Sequence, residues 1–89
     1  MTSTTTRFRS RPVEIEAMRF QKPYAAVALW CDGIILTDGG SQVGGLAIET
    51  PDGTMIARIG DWIVRGTAGE FYPVKPDIFI AKYEPVDPK

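Results

Sequence analysis

Beyond its first eleven residues the chain alternates short apolar runs with clusters of glycine, proline and aspartate. The first run, Val13-Glu14-Ile15-Glu16-Ala17, has the period-two pattern of a half-buried strand and puts Val13, Ile15 and Ala17 towards a core. Met18 and Phe20 fall on the opposite parity, which calls for a bulge or for a strand end that leaves the sheet. Pro12 precedes this strand, where its missing N–H does no harm.

Pro23 stands at a first helical position, and residues 24–31 read as the one main helix, short and with Tyr24, Val27, Ala28 and Cys31 in a single stripe. The other positions are alanine, leucine and tryptophan, so this helix has almost no polar face. Such a helix is short, buried on two sides, or covered by a partner chain. Asp32-Gly33 ends it by supplying a residue tolerant of positive φ, and residues 34–37 form a β-rich run.

Four glycines between positions 39 and 45 predict a mobile loop. Residues 46–50 and 54–59 flank Pro51-Asp52-Gly53, a hairpin signal in which proline presets φ and Asp-Gly accepts the turn. Gly60-Asp61 leads into residues 62–66, and 71–74 follow as a further strand, so this half of the chain reads as an antiparallel meander. Pro76 favours a helix while the β-branched and aromatic content of residues 78–83 favours a strand, and the expectation is a short C-terminal helical turn at residues 76–82. The expected fold class is α+β: a small antiparallel β-sheet packed with one short helix and that turn.

At 89 residues the chain holds one core, read as a single domain over 12–89 behind a polar, basic tail at 1–11. So small a core makes homodimer formation a natural way to gain stability. No window supplies the apolar run of a signal peptide or a membrane span, which points to the cytoplasm. Formal net charge is −1, giving no global footprint for a polyanion and arguing against nucleic acid as a partner. Arg7, Arg9 and Arg11, with Phe8 among them, read as a solubilising arm.

The chain has no histidine, which removes the commonest acid/base group and metal ligand at neutral pH. Its single cysteine, Cys31, reads as a packing residue. Glu14 and Glu16 alternate with apolar residues as a solvated sheet face does. Asp32, Asp38, Asp52 and Asp61 each sit beside a glycine, where aspartate serves turns. The paired glycines lack the lysine and the following helix of a phosphate loop. No catalytic residue, metal site or cofactor is expected.

Residues 60–83 concentrate Trp62, Arg65, Glu70, Phe71, Tyr72, Lys75, Asp77, Phe79 and Tyr83. Aromatic and arginine side chains combine area with a polar handle and dominate binding hot spots. Trp62, Arg65, Glu70, Tyr72, Lys75 and Asp77 are accordingly the candidate binding residues, with Trp62 and Phe79 also read as core.

This segment carries a resemblance. Gly60-Asp61-Trp62-Ile63-Val64-Arg65-Gly66, Gly69-Glu70-Phe71-Tyr72-Pro73, Lys75-Pro76-Asp77-Ile78-Phe79 and Tyr83-Glu84-Pro85-Val86 resemble the short bacteriophage and prophage proteins with a Pro-Gly-Asp-Trp/Tyr signature, the PGDYG family. The opening Val-Glu-Ala-type strand matches as well, and Ile59 stands at the signature proline. The resemblance implies a phage or prophage origin and supplies no reaction. With the missing catalytic chemistry, it leads to the expectation of a non-enzymatic accessory protein. It would bind a host bacterial protein in the cytoplasm of the infected or lysogenic cell and modulate a host process or defence. The alternatives are sequestration of a small anionic, nucleotide-like ligand by Arg65 and Lys75, and a structural role in virion assembly.

Overall fold

A computed structural model describes residues 4–9 and 12–86; the parts of the basic tail at positions 1–3, 10 and 11, and the C-terminal positions 87–89, lie outside the described residues. The elements are β1 (Glu16–Arg19), α1 (Tyr24–Cys31), β2 (Ile34–Thr37), β3 (Val43–Thr50), β4 (Gly53–Ala57), β5 (Trp62–Arg65), β6 (Phe71–Val74) and α2 (Pro76–Lys82). The α+β class holds. The antiparallel strands are divided between two three-stranded sheets, β1-β5-β6 and β2-β3-β4.

β1 begins three residues later than the alternation of 13–17 predicts, and Val13 is exposed. Its limits are set by its partner. β5 lies between the turns at Gly60 and Gly66, so the ladder runs only from Glu16 opposite Arg65 to Arg19 opposite Trp62. Met18 stands opposite Ile63 on the core face, and Ala17 opposite Val64 on the other. The parity of Met18 and Phe20 is thus the core parity, and no bulge is needed. Phe20 is completely buried, and its N–H donates to the Asp61 carbonyl at 2.8 Å while its own carbonyl accepts from Gly60 N–H at 2.8 Å.

Pro23 is the N-cap of α1, one position before the helix, with extended backbone. Val27 and Cys31 are buried and Tyr24 and Ala28 partly so, which is the predicted stripe. Trp30 rests edge-on against Phe71 at 5.1 Å, while Leu29 stays in solvent. The positive φ that ends the helix belongs to Asp32, at 56°. Gly33 is required for a different reason: a Cβ there would stand 2.9 Å from Leu46 Cδ1 and 3.0 Å from the Ala47 carbonyl oxygen.

The predicted glycine loop is shorter than expected, because Gly44 and Gly45 belong to β3. At Gly45 a Cβ would meet the Ala57 carbonyl at 3.0 Å and Ile56 Cγ2 at 3.1 Å, so glycine lets Ile56 lie across β3. The β3–β4 hairpin turns at Pro51-Asp52, with Thr50 opposite Gly53. The Thr50 hydroxyl accepts from Asp52 N–H at 3.1 Å and donates to the Gly53 carbonyl at 2.7 Å.

The core lies between the sheets and is closed by α1. Leu46, Ile48 and Ala57 come from one sheet, Ile63 from the other, Phe20 from the end of β1, and Val27 and Cys31 from the helix. Each large side chain buried here contributes about 1.5–3 kcal/mol. The far face of β1-β5-β6 is covered by α2. Trp62, Val64, Tyr72 and Val74 share that face, and Phe79 of α2 stacks on Trp62 with ring centroids 4.2 Å apart and planes 5° from parallel. Both faces of β5 are consequently covered, and the successive residues Ile63 and Val64 are both fully buried.

Candidate functional site

The segment 60–83 forms two elements of one sheet and the helix that covers it, and its candidate residues do not converge on one space. Trp62 is committed to its stack on Phe79, with the Arg19 guanidinium 6.0 Å from its ring. Tyr72 lies on the same face, its hydroxyl 3.5 Å from that of Tyr83. Tyr83 and burial together push the Tyr72 phenol up to about 12, so it is a poor proton donor near neutral pH.

Arg65 points to the opposite face of the sheet, where its Nη1 meets Glu16 Oε1 at 3.1 Å. Glu70 closes the β5–β6 turn: its Oε1 accepts from Ala68 N–H at 3.0 Å, and the carboxylate lies over Gly66, where a Cβ would come within 2.5 Å of it. Asp77 is an exposed residue of the first turn of α2, where a negative charge complements the helix dipole. Lys75 donates to Asp61 Oδ2 at 3.2 Å. Arg65 and Lys75 are separated by most of the length of β6, roughly 13 Å at about 3.3 Å per residue. Each is paired with a carboxylate of its own, Glu16 and Asp61, and the two cations do not converge on one anion.

Asp61 is the buried charged residue of the described chain, 4 % exposed. Its carboxylate accepts from Arg58 N–H at 2.9 Å as well as from Lys75, so it is a turn aspartate that also anchors a lysine. Asp38 does the simpler version of this work, accepting from Gly40 N–H at 2.9 Å. Burial pushes the Cys31 thiol up, away from the thiolate needed of a nucleophile. Among the described residues no three potential metal ligands cluster, and no helix is long and apolar enough to cross a membrane.

Two surfaces stand out once the strands are in register, and neither was singled out from the sequence. The first is the outer face of β2-β3-β4. Ile34, Ala47 and Ile56 lie directly opposite one another across the three strands, and Leu36 stands beside them opposite Gly45. Ile34 is 68 % exposed and Ile56 48 %, and no element of the described chain covers them. The charged residue that shares this face, Glu49, sits at its end beside the hairpin turn, where it accepts from the Thr54 hydroxyl. The signal in the sequence was the apolar residues on both parities at Ile34-Ile35-Leu36 and Met55-Ile56.

The second surface is a groove of about 350 Å³ between β4, β6 and α2. Met55 and Ile56 form one wall, Val74 and Pro73 the floor, and Ile78 the other wall between Lys75 and Lys82. Positions 75, 78 and 82 fall on one side of α2 at helical spacing, while Phe79 and Tyr83 fall on the side that packs on the sheet. Comparison of the chain with protein-family models, with curated proteins and with solved structures found no match.

Proposed function

We propose that this chain works by binding a macromolecule, as a non-enzymatic accessory protein of bacteriophage or prophage origin whose partner is a protein of the bacterial host. The origin rests on the resemblance carried by residues 60–86. The binding reading rests on one observation, the uncovered apolar face of Ile34, Leu36, Ala47 and Ile56. Small monomeric domains rarely leave contiguous apolar side chains of this kind in water, and such patches mark interaction surfaces. Sequestration of a nucleotide-like anion is the weaker reading, because Arg65 and Lys75 are each paired with a carboxylate and lie far apart.

The test is affinity purification of the tagged full chain from bacterial lysate beside Ile34→Asp and Leu36→Asp variants, with light scattering on all three. Loss of one stoichiometric protein from both variants is the expected result. A dimer of the wild type that both variants convert to monomer would assign the face to a second copy. Identical recovery and identical mass for all three would refute the reading.

A further inference from the structure

β4 is an edge strand. Beyond its ladder to β3, no backbone group of Thr54, Met55 or Ile56 is hydrogen-bonded among the described residues. An open edge of this kind offers a row of N–H and C=O groups to another extended chain. Three consecutive exposed residues leave it accessible from the side. Beside the edge lies the groove, so a strand laid against β4 would direct every second side chain into it, on the side to which Met55 points.

The chemistry of the groove states which side chains fit. Met55, Val74 and Ile78 offer apolar walls to an aliphatic group. Lys75 and Lys82 flank Ile78, against the single carboxylate of Asp61. Asp61 is held by the Arg58 N–H and by Lys75, and Lys82 has no carboxylate partner among the described residues. The groove therefore carries one positive charge in excess. The Lys75 side chain remains 57 % exposed in its pair, leaving ammonium hydrogens for a second acceptor.

We propose that the free edge of β4 and this groove together form a peptide-recognition site. It takes an extended segment as a fourth strand of β2-β3-β4, with an aliphatic side chain between Met55 and Ile78 and, two residues away on the same face, a carboxylate on Lys82. Main-chain bonds then supply affinity and the groove supplies the choice of sequence. The site shares Ile56 with the outer apolar face, whose other members Ile34, Leu36 and Ala47 do not line the groove.

The experiment is selection of a displayed library of random linear decapeptides on the immobilised full chain, followed by fluorescence polarisation with the enriched peptides. Expected are sequences with an aliphatic residue and an aspartate or glutamate in the i, i+2 relation. Reversing the charge with Lys82→Glu should weaken them by at least about tenfold. N-methylation of the peptide at alternate residues should abolish binding in one register and spare it in the other, which ordinary side-chain docking would not do. Ile34→Asp should leave these peptides bound, so that failure here and failure of the outer face are read separately. No enrichment on the wild-type chain, an affinity indifferent to Lys82→Glu, or an affinity indifferent to N-methylation would each overturn the proposal.

Discussion

Replacing Asp61 separates what a buried turn carboxylate contributes from what its visible ion pair contributes. In Asp61→Ala the Arg58 N–H loses an ionised acceptor, a bond of the charge-assisted kind worth about 1.5–3 kcal/mol. The Lys75 pair adds little: with its side chain 57 % exposed, solvent screening keeps it to about 0–1 kcal/mol. The expected loss is about 2–3 kcal/mol, dominated by the backbone bond. For a domain of this size that corresponds to a fall in Tm of roughly 10–20 °C. Asp61→Asn keeps an acceptor for Arg58 N–H without the charge and should lose about 1 kcal/mol. Lys75→Ala should lose no more than about 1 kcal/mol. Urea unfolding at low temperature, with the three variants and the wild type fitted to a common m-value, measures the series. If Lys75→Ala were as damaging as Asp61→Ala, the ion pair would carry the stability and the reasoning would fail.

Four further outcomes are expected. Trp62 and Phe79 should couple by about 0.5–1.5 kcal/mol in a double-mutant cycle, because a 4.2 Å stack contributes beyond its buried area. Gly33→Ala should destabilise by about 1–3 kcal/mol through overpacking against Leu46, whereas Gly40→Ala, away from the core, should be nearly silent by the same denaturation assay. The Tyr72 phenol, raised to about 12 in the folded chain from an ordinary 10, holds its proton longer folded than unfolded. Stability from this group is complete below pH 10 and is lost as pH rises towards 12, and Tyr72→Phe should flatten that part of the pH–stability curve. Cys31 should resist an aromatic disulfide reagent in the native chain at neutral pH and react once urea unfolds it, whereas prompt native labelling would contradict its burial.

Where structure was legible in the sequence, the determining interactions were local. Pro51-Asp52-Gly53 announces its hairpin because proline and glycine set the turn without help from the rest of the chain. The start of α2 follows from Pro76, although the β-branched and aromatic residues after it also fit a strand, and the stripe of α1 follows from helical spacing. β1 was displaced because its limits belong to a distant partner: the alternation of 13–17 is a fair strand pattern, but β5 offers only four residues to pair. Gly44 and Gly45 looked like loop for want of side chains, yet Gly45 is in a strand so that Ile56 can cross it. The division into two sheets, and with it the outer apolar face and the groove, depends on which edges meet. No periodicity in a single strand carries that information. The aromatic and charged residues of 60–83 drew attention by type, and their places show several of them engaged in packing, turn closure and ion pairs.

The strand order has a consequence for synthesis of the protein. Residues of β2-β3-β4 pair only among themselves, whereas Glu16 waits for Arg65, 49 positions further on. At ribosomal speeds of about 5–20 residues per second, β1 spends roughly 2–10 s without its partner strand while β2-β3-β4 is already being delivered. During that interval Met18 and Phe20 have no β5 beside them. A nascent chain arrested just before Trp62 should therefore recruit chaperones that one extended beyond Val74 releases, making the order of strands a setting for quality control as well as for shape.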